Sequence, residues 1–365
     1  MKVTFVMASG FALTGGDRII ALYANKLKQR GHDVFVVSRP LGKPSFREQL
    51  RSLRKGKGWI NVQKSKSHFD ELDVPHKLID RFRPVQDIDL PNADVVIATW
   101  WETAHWVANL SRTKGAKAYF VQHHEVFDYV QKEQAQASYL LPMHKIAVSQ
   151  WLIDIMDSHY GDRDVSFVPN SIDTTLFNAQ PRSKQAGPTI GMMYSKAPWK
   201  GCDVSLKAFE IAAQRIPNLQ LVALSSHALV DHLPLPPNTE FCFQPPQQTL
   251  KDIYARCDAW LFGSRSEGFG LPILEAMACR TPVIGTPAGA APELLADGAG
   301  ILVNMDDPEA MANAIERIYQ MSDAEWQQMS NRAYRQASSY TLEDATDRFE
   351  AALYRAIEKQ KSSSL

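Results

Sequence analysis

Glu267 and Glu275 stand on either side of the turn Gly268-Phe269-Gly270, with seven residues between them. The apolar run Ala259–Phe262 comes before, and an apolar helix-like run ending near Cys279 and Arg280 comes after. Strand, glycine turn and helix start in that order gather free backbone N–H groups and the positive end of a helix dipole at one spot, which favours an anion. Glycines there let the backbone approach a phosphate closely, although a plain tight turn uses the same residues. Glu275 falls about one turn into the helix, where its carboxylate can accept hydrogen bonds from a sugar diol. On a largely apolar helix such a carboxylate needs a polar partner. An anion beside a diol outlines a nucleotide sugar.

Elements that could hold these residues alternate along the whole chain. Lys2–Met7 predicts a strand, 10–16 a loop, 17–30 an amphipathic helix and Asp33–Ser38 a second strand. Short apolar runs at 94–99, 118–122, 145–149 and 166–168 have the style of buried parallel strands. A polar stretch at 181–188, with proline at both ends, predicts a linker. The pattern then restarts with a strand at Thr189–Met193, a loop to Gly201 and a helix over 204–214. Strands follow at 219–224, 240–243, Ala259–Phe262, 282–285 and 301–303. A last helix over 342–357 is expected to cross back to the first domain, with 359–365 frayed. The predicted fold is α/β: two Rossmann-like, doubly wound parallel-sheet domains facing a cleft, with ligands at the carboxyl ends of the strands. The expected boundaries are 1–180 for an acceptor-side domain, 181–340 for a nucleotide-sugar domain and 341–365 for the returning helix.

Composition narrows the class of function. The chain has 365 residues, 45% of them hydrophobic, which suffices for two packed cores. Its formal net charge is zero, against the basic footprint of a general nucleic-acid binder. Cys202, Cys242, Cys257 and Cys279 show no CxxC spacing, so they are expected as small buried residues in a reducing compartment. No apolar run is long enough to span a membrane, and the start reads as a strand rather than a signal peptide. A cytoplasmic protein is expected, with peripheral contact at the inner membrane face as an option. That option rests on 43–66, which carries eight basic residues and one acidic residue together with Phe46 and Trp59. A solvated loop is the other reading of this segment.

The motifs in their order resemble the retaining glycosyltransferases of family 4, which have the GT-B fold, over nearly the whole chain. The resemblance is carried by Glu267-x7-Glu275 inside SEGFGLPILEAMACRTPVIGTPAGAAPELL. Supporting it are Val168-Pro169-Asn170-Ser171-Ile172-Asp173, Ile146-Ala147-Val148-Ser149, Lys200-Gly201 and Gly15-Gly16 after the first strand. It implies a nucleoside-diphosphate sugar as donor, a glycan, lipid or small-molecule acceptor, and neither metal nor cofactor. It also implies roles. Gly268, Phe269, Gly270 and Leu271 would hold the distal phosphate through their amides, and Glu275 would bond the ribose hydroxyls. Glu267 would sit beside the transferred sugar; a helix N-terminal acid is the alternative. Lys200 would neutralise the leaving diphosphate. The arginine that usually accompanies this lysine is missing; Ser195 or Lys196 stands near its place, and Arg265 is a further cation in the neighbourhood. Gly16 would bring backbone to the donor, unless Gly15-Gly16-Asp17 is only a helix entry capped by Asp17. His123, with His124 as competitor, would face the sugar. Trp100-Trp101-Glu102 could form an acceptor platform or simply pack, and the turn at Phe243-Gln244-Pro245 would lie against the base.

A GT-B sugar-nucleotide epimerase, a phosphorylase, and a nucleotide-sugar-binding protein without transfer activity remain alternatives on these residues.

Overall fold

The computed structural model describes residues 1–42, 46–56, 58–59 and 66–362. By internal packing the chain divides into two units. One comprises Met1–Val148, Ile153–Val168 and Thr346–Leu365; the other comprises Ser149–Leu152 and Pro169–Ala345.

The first unit is built on strands β1 (Lys2–Met7), β2 (Asp33–Ser38), β3 (His76–Leu78), β4 (Val95–Ala98), β5 (Ala116–Val121), β6 (His144–Ala147) and β7 (Ser166–Phe167). They form one sheet in the order β3-β2-β1-β4-β5-β6-β7, parallel throughout. β4 is Val-Val-Ile-Ala and wholly buried, as expected for a strand covered on both faces. β3 gave no signal in the sequence because His76, Lys77 and Leu78 are all exposed on a short edge strand. The helix after β1 spans Gly15–Gln29 rather than 17–30. Thr14, not Asp17, caps it: the Thr14 hydroxyl accepts from the Asp17 amide at 3.1 Å. Asp17 turns back to accept from the Ala12 amide at 2.8 Å, closing the loop that leads into the helix. Burial holds its carboxyl above the ordinary range, against the pull of these bonds.

The last helix runs Leu342–Ser362, five residues beyond the expected end. Its Phe349 is fully buried, stacked on Tyr23 at 4.2 Å between centroids and edge-on to Phe120 at 5.2 Å, all within the first unit. Lys359 is not frayed, since its ammonium bonds His144 Nδ1 at 2.8 Å and pairs with Asp164. Residues 363–365 of the expected frayed end lie outside the described residues.

The second unit carries β8 (Thr189–Met193), β9 (Gln220–Ser225), β10 (Thr239–Phe243), β11 (Ala259–Phe262), β12 (Val283–Gly285) and β13 (Gly300–Leu302). Their order is β10-β9-β8-β11-β12-β13, again all parallel. Gly191 in β8 is needed for packing: a Cβ there would lie 2.3 Å from the buried indole of Trp260 on β11. The stretch 181–188 does not hang as a linker. Arg182 bonds the Cys257 carbonyl and lies 4.4 Å over the Trp326 ring, so the stretch packs on the second unit. Apart from the short excursion Ser149–Leu152, the units change between Val168 and Pro169 and between Ala345 and Thr346.

Each sheet reverses its strand order once, between β1 and β4 and between β8 and β11. In open parallel sheets the loops after such neighbours diverge and leave a crevice. The loop after β8 carries Lys196 and Lys200, and the loop after β11 carries 263–270.

Candidate nucleotide-sugar site

The turn after β11 is held by its carbonyls. The Gly268 carbonyl accepts from Ser149 Oγ at 2.7 Å and from the Trp151 indole N–H at 2.9 Å. The Phe269 carbonyl accepts from the Ala290 amide at 2.8 Å. Gly270 takes φ +103° to start the helix Leu271–Ala278, a conformation that favours glycine. Pro272 removes one first-turn donor that the helix could not satisfy. With the carbonyls bound on one side, the amides of Gly268, Phe269, Gly270 and Leu271 donate to no described residue. Gly268, Phe269 and Gly270 are buried. Several buried N–H groups without an acceptor are costly unless something else pairs with them. Phe269 contributes only its amide, since its ring is buried against Tyr340.

Glu267 is buried and accepts from Lys200 Nζ at 2.7 Å and Ser264 Oγ at 2.8 Å, both on Oε1. The Ser264 carbonyl is in turn fixed by Thr286 Oγ1. Lys200 ends the single turn Pro198–Lys200, and Gly201 follows in the left-handed region at φ +55°. A Cβ on Gly201 would fall 1.7 Å from the Gly263 carbonyl oxygen, so the loops after β8 and β11 touch only because this residue is glycine. Backbone bonds from the Arg265 and Ser266 amides to the Trp199 carbonyl, at 2.7 and 3.3 Å, tie the same loops together. Glu275 is buried in the next helix, with its Oε2 accepting from the Tyr254 hydroxyl at 2.7 Å.

Arg265 does not stand in for the missing arginine. Its guanidinium is spent on Asp203 in a bidentate pair, on Asp306 at 2.6 Å and on the Pro198 carbonyl at 2.6 Å. These partners raise its pKa further. Lys196 is exposed on the loop after β8, with no side-chain bond or ion pair to a described residue. Phe243 is half exposed, and Gln244 adopts φ +45° with its amide bonded to Ser225 O at 2.7 Å, which fixes the turn expected beside the base.

In the first unit, Gly15 and Gly16 form the first turn of their helix, whose leading amides have no intrahelical acceptor. A Cβ on Gly16 would lie 3.6 Å from the side chain of Gln122, the residue just after β5. His124 is anchored inward: Nε2 bonds Tyr160 OH at 2.8 Å, and its ring packs on Tyr139. Burial first, then the neighbouring His123 and His159, lowers its pKa to about 4. His123 is half buried, with Nδ1 at 2.9 Å from the His124 carbonyl and its ring against Phe127 at 4.8 Å. Glu125 is a structural acid. It is buried, accepts from the Trp101 amide at 2.6 Å and Tyr119 OH at 3.1 Å, and burial raises its pKa. The expected platform reduces to Trp100. Trp101 is buried, and Glu102 makes a bidentate pair with Arg39.

The four cysteines are free. Cys202, Cys257 and Cys279 are buried and Cys242 is half buried. Among the described residues no cluster of three or more His, Cys, Asp or Glu could hold a metal, and no helix is long and apolar enough to cross a membrane. Ser149 and Thr286 lie within the sequence motifs and Ser264 in the stretch around Glu267, whereas Trp151 and Tyr254, which also hold the site through hydrogen bonds, have no role assigned from the sequence.

Two family models match in succession: Glycosyltransferase Family 4 over residues 13–176 and Glycosyl transferases group 1 over residues 173–336. Together the two models support a family 4-like glycosyltransferase of GT-B fold. It is 29% identical over 189 residues to the O-antigen chain mannosyltransferase RfbU of Salmonella typhimurium, a match covering 50% of this chain and 52% of that protein. It is 29% identical over 176 residues to a D-inositol 3-phosphate glycosyltransferase of Mycobacterium tuberculosis, covering 44% of this chain and 35% of that one. The matched stretches thus span about half or less of these relatives. Among solved structures, Anabaena HepE in complex with UDP and glucose superposes with a TM-score of 0.73 at 17% identity, over 97% of this chain and 100% of that one. That likeness speaks for the fold.

Proposed function

We propose that the chain is a retaining glycosyltransferase that moves a sugar from a nucleoside diphosphate to a hydroxyl of a glycan, lipid or small-molecule acceptor. The observation that carries this is the row of unpaired amides at 268–271, set between Lys200 with Glu267 on one side and Glu275 on the other. Amides at a helix start suit the distal phosphate. Lys200 and the exposed Lys196 supply cations for the charge that grows on the leaving diphosphate. Glu275 accepts from the ribose hydroxyls, and Glu267 orients the sugar and offsets positive charge developing on its ring. Gly16, in the first turn of its helix, has an amide suited to a phosphate. Of the two histidines, His123 is the one available to a sugar, because His124 is committed to Tyr160. The RfbU likeness supports a glycan acceptor, and HepE, solved with UDP and glucose, supports a nucleotide-sugar donor without fixing base or sugar.

In this proposal the acceptor hydroxyl attacks from the face the diphosphate leaves. Its oxygen bonds the anomeric carbon as the bond to phosphate breaks, and its proton passes to a diphosphate oxygen. Positioning and electrostatics supply the acceleration. No metal or further cofactor takes part.

Peripheral membrane contact is proposed for the helix Phe46–Arg54. Phe46, Leu50 and Leu53 are exposed on one side of it, and Arg47, Arg51 and Arg54 lie beside them. An exposed apolar stripe flanked by arginines suits an anionic lipid surface. Residues 43–45, 57 and 60–65 of the segment 43–66 lie outside the described residues.

A thermal-shift panel of UDP, GDP, ADP, CDP and dTDP tests the donor site. A ligand at a hundred times its Kd adds about 2.7 kcal/mol of stability, or roughly 5–10 °C for a domain of this size. No shift with any of them rejects the site.

A further inference from the structure

The carboxylate of Glu275 does not set its own direction. It projects from Leu271–Ala278, an otherwise apolar helix, and is almost fully buried. Tyr254, on the neighbouring helix Leu250–Ala255, is fully buried and donates its phenol to Oε2 at 2.7 Å. The ring cannot swing away. It lies 4.4 Å from the Trp260 ring and 6.2 Å from Phe177, and the Tyr254 carbonyl accepts from Thr281 Oγ1 at 2.7 Å and the Cys257 amide at 3.1 Å. Cys279, one turn past Glu275, stays a neutral thiol: burial, with Glu275 as the next cause, raises its pKa to about 12.

We propose that Tyr254 is a positioning residue that makes Glu275 selective for a ribose over a deoxyribose. This rests on the reading of Glu275 as the group that accepts from the ribose hydroxyls. A phenol on one oxygen stops rotation about the last side-chain torsion. An arriving vicinal diol then meets acceptor lone pairs already oriented and loses little freedom in using them. Without the phenol the carboxylate loses one of the bonds that fix its direction. The loss should therefore fall on recognition of the diol and not on the phosphate grip of the 268–271 amides and Lys200.

The test is a ratio measured within each variant by calorimetry. Whichever of UDP, GDP or ADP binds is compared with its 2′-deoxy counterpart, for wild type and Tyr254→Phe, with inorganic diphosphate as a third ligand. Wild type is expected to prefer the ribonucleotide about tenfold or more. In Tyr254→Phe that preference should shrink to about threefold or less while inorganic diphosphate binds as before, and the donor KM should rise more than kcat falls. A wild type that does not discriminate sinks the diol role of Glu275. A wild type that discriminates, with a Tyr254→Phe ratio just as large, overturns the role of Tyr254. If Tyr254→Phe fails to bind inorganic diphosphate, 3-fluorotyrosine at 254 takes its place. As a stronger donor of the same shape it should alter the ratio, and an unchanged ratio overturns the proposal.

Discussion

Lys200 and Glu267 make a prediction in which one ion pair responds with opposite signs. In the ligand-free chain the ammonium lies 2.7 Å from Glu267 Oε1, and Ser264 Oγ holds the same oxygen at 2.8 Å. The lysine side chain is 35% exposed and the glutamate 10%, so the pair sits at the edge of the protein, open to a ligand on the lysine side. If Lys200 grips the diphosphate, it must share or leave Glu267 when the donor binds. Lys200→Met removes one charge-assisted bond to phosphate, about 1.5–3 kcal/mol, and should weaken nucleoside diphosphate binding roughly 10- to 150-fold. It also strips a buried carboxylate of its cation. The exposure of the lysine brings that cost below that of a fully buried pair, to about 1–2 kcal/mol of stability. Glu267→Gln keeps the shape and the Ser264 contact but frees Lys200 and removes a negative charge near the phosphates. Coulomb repulsion across about 4 Å is on the order of 1 kcal/mol even with the full screening of bulk water, so this variant should bind the nucleoside diphosphate about fivefold more tightly or better. Its transfer and slow donor-hydrolysis rates should nevertheless collapse, because the group beside the sugar has lost its charge. Isothermal titration with the diphosphate found in the thermal-shift panel measures both affinities, and product release measures the rates. If Glu267→Gln weakens the diphosphate as much as Lys200→Met does, the pair is a structural unit and not a shared phosphate grip. Equal donor hydrolysis in wild type and Glu267→Gln would reject the role given to Glu267.

Gly289→Ala should damage the site by crowding its backbone and the root of the Glu267 side chain. The residue has φ +63°, and a Cβ would lie 2.6 Å from the Phe269 carbonyl oxygen and 2.9 Å from Glu267 Cβ; we expect about 1–3 kcal/mol of destabilisation and a donor affinity at least tenfold lower, both read by melting with and without the diphosphate. Stability should fall as pH drops from 6.5 towards 4. His124 and His144 are both lowered from 6.5 to about 4, chiefly by burial, so over that window the unfolded chain binds protons that the folded chain does not. Urea midpoints across the window should decline in wild type and flatten when His124 is replaced by Asn, and an unchanged slope would remove His124 from the account. Sedimentation with vesicles containing anionic lipid should carry the protein down, and Arg47→Glu with Arg51→Glu should reduce binding at least tenfold, at about 1 kcal/mol per basic residue. Equal binding to neutral vesicles would reject the charge-based contact.

Legibility in the sequence follows the range of the interactions involved. Thr189–Met193 and Ala259–Phe262 match their strands residue for residue, because a strand buried on both faces is a continuous apolar run. The edge strand His76–Leu78 has no such run and escaped notice. Glu267, Gly268 and Glu275 were visible because turn, helix start and carboxylates are neighbours in the chain. Tyr254 was not, since a hydroxyl donating to a residue 21 positions away leaves no mark on its own surroundings. Arg265 shows the converse. Its place two residues before Glu267 recommended it as a phosphate ligand, yet Asp203 and Asp306 occupy it from 62 and 41 positions away. An arginine held in a bidentate pair with a second carboxylate in contact would have to give up both partners to reach a phosphate, losing charge-assisted bonds about as strong as those it would gain. It serves better as a strut. By tying the loop after β8 to the loop after β11 it keeps Lys200 in register with Glu267, which leaves the unengaged Lys196 as the cation proposed for the missing place.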